Sequence, residues 1–195
     1  MSKIEDGTGQ GYLAGVTSRN KLKTQAEAIP SIALASAERQ DAFVIETAVA
    51  SATGLITGLV AGTESGVLWL RNDSPAPLSV GGISSSNTGV GVWKLWKKTT
   101  GGTVLSAGTL VTPVQLYIPS SKGFTGVAYR ANASGQTVGS SAGNEIALGY
   151  VTAGFNELVL QGALILGTSD TLGVTFTPIG ANSDVALNVI CAYLG

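Results

Sequence analysis

Histidine is absent from the 195 residues, and cysteine and methionine occur once each. The missing imidazole removes the commonest general base and the commonest metal ligand together, so zinc sites and His-dependent hydrolytic triads are not expected. The lone Cys191 allows no internal disulfide, and its place in the apolar run Val185–Tyr193 predicts a small buried residue rather than a reactive thiol. Charge is scarce too: 11 Lys+Arg and 12 Asp+Glu make up 12% of the chain and leave a net charge of −1, where about 25% is usual. Without clustered cations there is no footprint for a phosphate backbone, and nucleic acid is not an expected partner. Long apolar runs are also missing. The opening Met1-Ser-Lys-Ile-Glu-Asp lacks the apolar stretch of a signal peptide, and the longest charge-free stretch, 99–121, is broken by Gly, Thr and Pro. No membrane contact is expected.

What is plentiful is small and uncharged. The chain has 27 Gly, 19 Ser and 20 Thr, with 44% hydrophobic residues, enough to bury one core of ordinary domain size. The charges are uneven: residues 1–47 hold 11 of the 23. That first part is Gly-rich at its start and carries only scattered apolar residues, so it reads as an extended arm that needs another surface to order it. Within it, Ser31-Ile-Ala-Leu-Ala-Ser-Ala-Glu-Arg-Gln-Asp-Ala-Phe43 follows a Pro-Ser start signal and is rich in helix formers. One short helix is predicted near 32–42.

From Phe43 onward, short apolar runs alternate with Gly, Ser, Asn and Pro, the pattern of many short strands in a sandwich or barrel. Period-two alternation places Val185, Leu187, Val189, Cys191 and Tyr193 on one face, and Leu172, Val174 and Phe176 on another. Ile146, Leu148 and Tyr150 form a third such face. Further strands are predicted at 43–49, 55–60, 67–71, 78–83, 90–97, 114–118, 125–131 and 158–166. The Asn72-Asp73-Ser74-Pro75 sequence ends a strand in a turn, and Gly101-Gly102 supply two positions able to take positive φ. The fold class expected is all-β: a jelly-roll-like β-sandwich over 43–195, preceded by the arm of 1–42 with its short helix.

The residues also carry a family resemblance. Asp6-Gly-Thr-Gly-Gln-Gly, followed by Ala14-x-Val16 and Asn20-x-Leu22-x-Thr24, resembles the amino-terminal arm of a family of tailed-bacteriophage virion structural proteins. Glu38-Arg-Gln-Asp-Ala-Phe-Val-Ile, Gly66-Val-Leu-Trp-Leu-Arg-Asn-Asp, Thr99-Thr-Gly-Gly-Thr, Leu110-Val-Thr-Pro-Val and Gly173-Val-Thr-Phe-Thr-Pro continue the likeness in order along nearly the whole chain. The chain departs from the family at Gly167-Thr-Ser-Asp-Thr, where a Pro-Lys-Gly turn is frequent, and in its aromatic and basic Trp93-Lys-Leu-Trp-Lys-Lys. The resemblance implies a component of the virus particle on the capsid exterior, a decoration or cement protein partnered with the major capsid protein and assembling as a homo-oligomer, a trimer by analogy. The other place it implies is the tail, baseplate or fibre attachment. On this reading the arm binds the shell, with Tyr12, Leu13, Val16 and Leu22 as apolar anchors and Arg19, Lys21 and Lys23 meeting acidic groups.

No catalytic, cofactor or metal site is expected, and the protein reads as a non-enzyme. Glu64, Asp73, Glu145, Glu157, Asp170 and Asp184 lie near strand ends or in turn-like context, as solvated carboxylates rather than as an acid/base pair. Ser121 and Lys122 are neighbours that point in different directions, so they form no dyad. Gly81-Gly82, Gly89-x-Gly91 and Gly101-Gly102 do not open onto a helical pattern, which leaves no phosphate loop. Asn72-Asp73 reads as an Asx turn, not a calcium site. As a strand, 93–98 puts Trp93, Leu95 and Lys97 on one face and Lys94, Trp96 and Lys98 on the other, so Trp93 is core and Trp96 half-exposed. A surface contact through Trp96, or a glycan platform of Trp96 with Tyr129 in a carbohydrate-binding module, is the rival reading.

Overall fold

A computed structural model describes residues 41–48, 55–99, 101–116, 122–139 and 144–194. The arm and most of the helix expected near 32–42 lie outside the described residues. At Asp41 and Ala42 the chain is non-helical, and Ala42 opens the first strand. The strands are β1 (Ala42–Glu46), β2 (Ile56–Leu59), β3 (Ser65–Asn72), β4 (Leu78–Asn87) and β5 (Gly91–Lys97). A helix, α1 (Thr103–Ala107), is followed by β6 (Thr109–Val111), β7 (Val114–Gln115) and β8 (Gly126–Arg130). Then come β9 (Asn144–Val151), β10 (Gly154–Leu166), β11 (Thr171–Pro178) and β12 (Ser183–Tyr193).

These strands form two six-stranded sheets. The first runs β10-β4-β12-β1-β7, with β2 also on β12; the second runs β6-β8-β3-β11-β5-β9. Set aside the short β2, β6 and β7 and the flanking β8, and eight strands remain, pairing outermost to innermost: β1 with β12, β3 with β11, β4 with β10 and β5 with β9, all antiparallel. That is one long hairpin rolled so that alternate pairs fall in opposite sheets, the jelly-roll topology. The all-β jelly-roll sandwich expected from the sequence is the fold found.

Alternation explains the core. Val185, Leu187, Val189, Cys191 and Tyr193 of β12 are buried, while Asp184, Ala186, Asn188 and Ile190 are half-buried. In the second sheet β3 and β11 are buried on both faces. Leu68, Leu70, Leu172, Val174 and Phe176 fill the space between the sheets. The opposite face of this sheet is covered by the connection between β5 and β9, which brings Val104 of α1 and Val138 over it. A Cβ on Gly173 would lie 2.9 Å from Val138 Cγ2, and one on Gly66 2.7 Å from Val138 Cγ1 and 2.9 Å from Val104 Cγ2. Glycine at both positions lets this cover close on the sheet.

Two expectations change. Gly101 and Gly102 do take positive φ, at 105° and 84°, but they lead into α1, which the sequence pattern did not indicate. This single turn is held by Val104 against the sheet and not by propensity. In β9 the face of Ile146 and Tyr150 points outward, both residues being exposed. Register with β5 sets Gly149 opposite Trp93 and Ala147 opposite Leu95, so the small residues of β9 take the inward positions.

Candidate functional site

At one side of the sandwich the two sheets end in β9 and β10, joined by Thr152 and Ala153. Between these strands opens a groove of about 260 Å³ that reaches the core: Trp93, Leu95 and Val174 wall it from one sheet, Ile83 and Leu187 from the other, and Leu158 stands at its mouth. The groove exists because the inward positions of β9 are Ala147 and Gly149. Its polar lining is sparse, with Ser85, Asn156 and Glu157 on the β4–β10 wall. Tyr150 and Phe155 flank it, both strongly exposed. Sequence reasoning missed this site. The readable signal is a strand with Ala and Gly at alternate positions, next to a thirteen-residue strand without a cation.

Trp93 to Lys97 lie in β5 at the neighbouring position, while Lys98, expected on the face of Lys94 and Trp96, follows the strand in a bend at φ 62°. Trp93 and Leu95 are buried and Trp96 is half-buried, as period two predicts. Trp96 donates its indole N–H to Thr175 Oγ1 at 3.2 Å, and Lys94 Nζ lies 5.5 Å from its ring centroid. Cross-strand pairing places Trp96, Gly173, Trp69 and Tyr129 in one row. Trp96 and Tyr129 thus share a face, but buried Trp69 and the cover over Gly173 stand between them. Lys97 instead bridges the sheets, donating to the Ile165 carbonyl at 2.6 Å and pairing with Asp170 at 3.3 Å.

Five of the six carboxylates named from the sequence are tied into structure, and Glu157 lines the groove. Glu64 and Glu145, 81 residues apart, converge on Lys94 Nζ at 3.2 and 3.6 Å. The hydrogen bond to Glu64, helped by the charge of both carboxylates, raises the Lys94 ammonium above its ordinary value. Asp73 holds Arg71 through Nε at 2.6 Å and a second nitrogen at 3.1 Å, and this bond raises the guanidinium further. Asp184 accepts from the Gly58 N–H at 2.7 Å and Asp170 from the Gly167 N–H at 3.0 Å. Asn72 Oδ1 accepts from the Ser74 N–H at 2.9 Å, the Asx turn expected. Among the described residues, no group of three or more His, Cys, Asp or Glu is placed to hold a metal ion. Lys122 donates to Asp41 at 2.9 Å; Ser121 lies outside the described residues, as do Tyr12, Leu13, Val16, Arg19, Lys21, Leu22 and Lys23.

Cys191 is fully buried, its Sγ 3.8 Å from the Phe43 carbonyl oxygen. Burial pushes its thiol up to about 12, and burial does the same to the Tyr193 phenol, also to about 12. Both groups hold their protons more tightly folded than unfolded. Their contribution is therefore intact below the unfolded thiol value of about 8.5 and is lost as pH rises toward 12. The urea midpoint should fall over that alkaline range, and iodoacetamide at pH 8 should label Cys191 no faster than the chain unfolds. Rapid labelling of the native protein would disprove the burial argument.

The chain was compared with protein-family models, curated proteins and solved structures, and none matches it. Among the described residues no helix is long and apolar enough to cross a membrane.

Proposed function

We propose that the protein is a non-enzymatic virion structural protein of a tailed bacteriophage, a capsid decoration or cement protein that binds and stabilises the major capsid shell through its amino-terminal arm. The observation that carries this reading is the jelly-roll body, preceded in sequence by a Gly-rich stretch, in a chain where 11 of 23 charges fall in the first 47 residues. Jelly rolls recur in viral capsid domains. Fold alone does not assign function, and here the DGTG resemblance in the arm adds the direction. The body is sparsely charged, and Glu64, Asp73, Glu145, Asp170 and Asp184 are occupied in turns and ion pairs, which suits a rigid block. The arm supplies apolar anchors in Tyr12, Leu13, Val16 and Leu22 and cations in Arg19, Lys21 and Lys23, so shell recognition is concentrated there.

Deleting residues 1–29 should abolish co-sedimentation with capsids while leaving a cooperatively unfolding domain. Replacing Arg19, Lys21 and Lys23 together by Ala should weaken binding and flatten its salt dependence. Binding retained by the deletion variant would refute the arm mechanism, and labelled protein found at the tail of intact particles would refute the capsid assignment.

A further inference from the structure

The two sides of the jelly roll are finished differently. Beside β1 and β3, the long connection 98–143 lays β7 on β1, and β8 followed by β6 on β3. With β2 on β12, that side ends in strands of two, three and four residues, and such short edges resist further pairing. The opposite side ends in β9, eight residues, and β10, thirteen. Among the described residues no strand pairs with the outer edge of either. Between 144 and 166 there is no Lys, Arg or Pro, and the charges are Glu145 and Glu157. Two of the usual guards of an exposed edge, lysine and proline, are missing; bulges interrupt β9 at Ile146 and β10 between Val159 and Leu164, which leaves Gly154–Val159 as the regular edge of β10.

Apolar side chains wrap around this same side. Tyr150 is 76% exposed, Phe155 69% and Val159 58%, with Ile146 and Leu158 each above two-fifths. From the usual areas of such side chains they present on the order of 500 Å² per copy, so two copies bring about 1,000 Å² together before any main-chain contact. That reaches the lower bound of a specific protein interface, about 1,000 Å².

We propose that the β9–β10 side is a two-fold interface between copies of this chain, with β10 pairing antiparallel to β10 of a second copy and the groove closed by the partner. A strand meeting its own copy about a dyad satisfies both edges with the same residues. Because both bare edges lie on one side, a single isologous contact covers both. A head-to-tail contact needs a second complementary edge, and the opposite side ends in strands too short to supply one. The surface is apolar and carries no cation from 144 to 166, so its fitting partner is another surface like itself. This inference rests on reading the protein as an assembly component, names the partner of a surface other than the arm, and sets a two-fold dimer in place of the trimer that the resemblance implies.

Sedimentation equilibrium of the purified full-length protein should give twice the 19.6 kDa of one chain. Val159→Lys and Tyr150→Asp, both on exposed positions, should leave circular dichroism unchanged and raise the dimer dissociation constant at least about tenfold. Hydrogen exchange should show protected β10 amides in the wild type that exchange at least about tenfold faster in Val159→Lys. A monomer at about 100 µM, a trimer, or a dimer unmoved by both substitutions would overturn the proposal. So would a monomer with protected β10 amides, which would mean that a segment of the same chain covers the edge. The measurement uses no capsid, so its outcome and that of the capsid-binding assay fail separately.

Discussion

Phe176→Ala should lower the unfolding free energy by about 3–5 kcal/mol, the range for removing a large ring from a packed core. Phe176 is fully buried in the centre of β11, with its ring centroid 4.6 Å from that of Trp93. The fit also depends on what is missing across the pair. Gly91 faces the ring so closely that a Cβ there would lie 2.2 Å from Phe176 Cζ and 2.8 Å from the Thr177 carbonyl oxygen. Gly91→Ala should therefore cost about 3 kcal/mol or more, because the ring is fixed by the core and the carbonyl by the β5–β11 pairing. Combining Gly91→Ala with Phe176→Leu relieves the ring clash, so the double variant should be more stable than the sum of the two losses predicts. Urea unfolding of the four proteins measures this coupling. Additive losses would show that the backbone oxygen, and not the ring, sets the cost at Gly91.

Local rules made part of this legible beforehand. The alternation of β12, the division of Trp93 from Trp96, the Asn72 turn and the positive φ of Gly101 and Gly102 all follow from short-range geometry, and the structure keeps them. What escaped depends on residues distant in sequence. Burial of both faces of β11 requires Val104 and Val138, delivered by the long β5–β9 connection, and nothing near Gly173 announces that cover. Period two alone leaves open which face of β9 is inward, and size and apolarity favour Ile146 and Tyr150 over Ala147 and Gly149. Pairing with β5 reverses the choice, setting Gly149 beside Trp93 and Ala147 beside Leu95. The carboxylates at 64 and 145 meet on Lys94 only after the roll brings β3 and β9 to either flank of β5 and β11. The β9–β10 groove arises in the same way, from small residues at a sheet end that the sequence alone does not mark as an end.

The second large effect is expected at Asn72, where a local turn became a long-range clasp. Its side chain is fully buried; Nδ2 donates to the carbonyls of Ala76 and Leu166 at 3.0 Å and Gly167 at 3.3 Å, and Oδ1 accepts from the Ser74 N–H. The β3–β4 turn and the β10–β11 turn are thus fastened through one amide, and Thr168 Oγ1 adds a bond to the Ser74 carbonyl at 3.0 Å. Asn72→Ala leaves those carbonyls and one N–H without partners in a buried site, a loss of about 2–4 kcal/mol. Asn72→Asp is nearly isosteric yet should be worse at neutral pH, because it sets a carboxylate oxygen against three carbonyl oxygens. Burial and those dipoles raise the pKa of the introduced acid above its unfolded value of about 3.9, and the protonated acid can still donate one bond. Its stability relative to wild type is then best below about pH 3.9 and falls as pH rises through the folded-state value. Urea midpoints of the variant and the wild type, measured together from acid to neutral pH, should diverge with increasing pH. A constant difference between them would mean that the three carbonyls do not depend on the amide donor, and the clasp would then be a matter of shape alone.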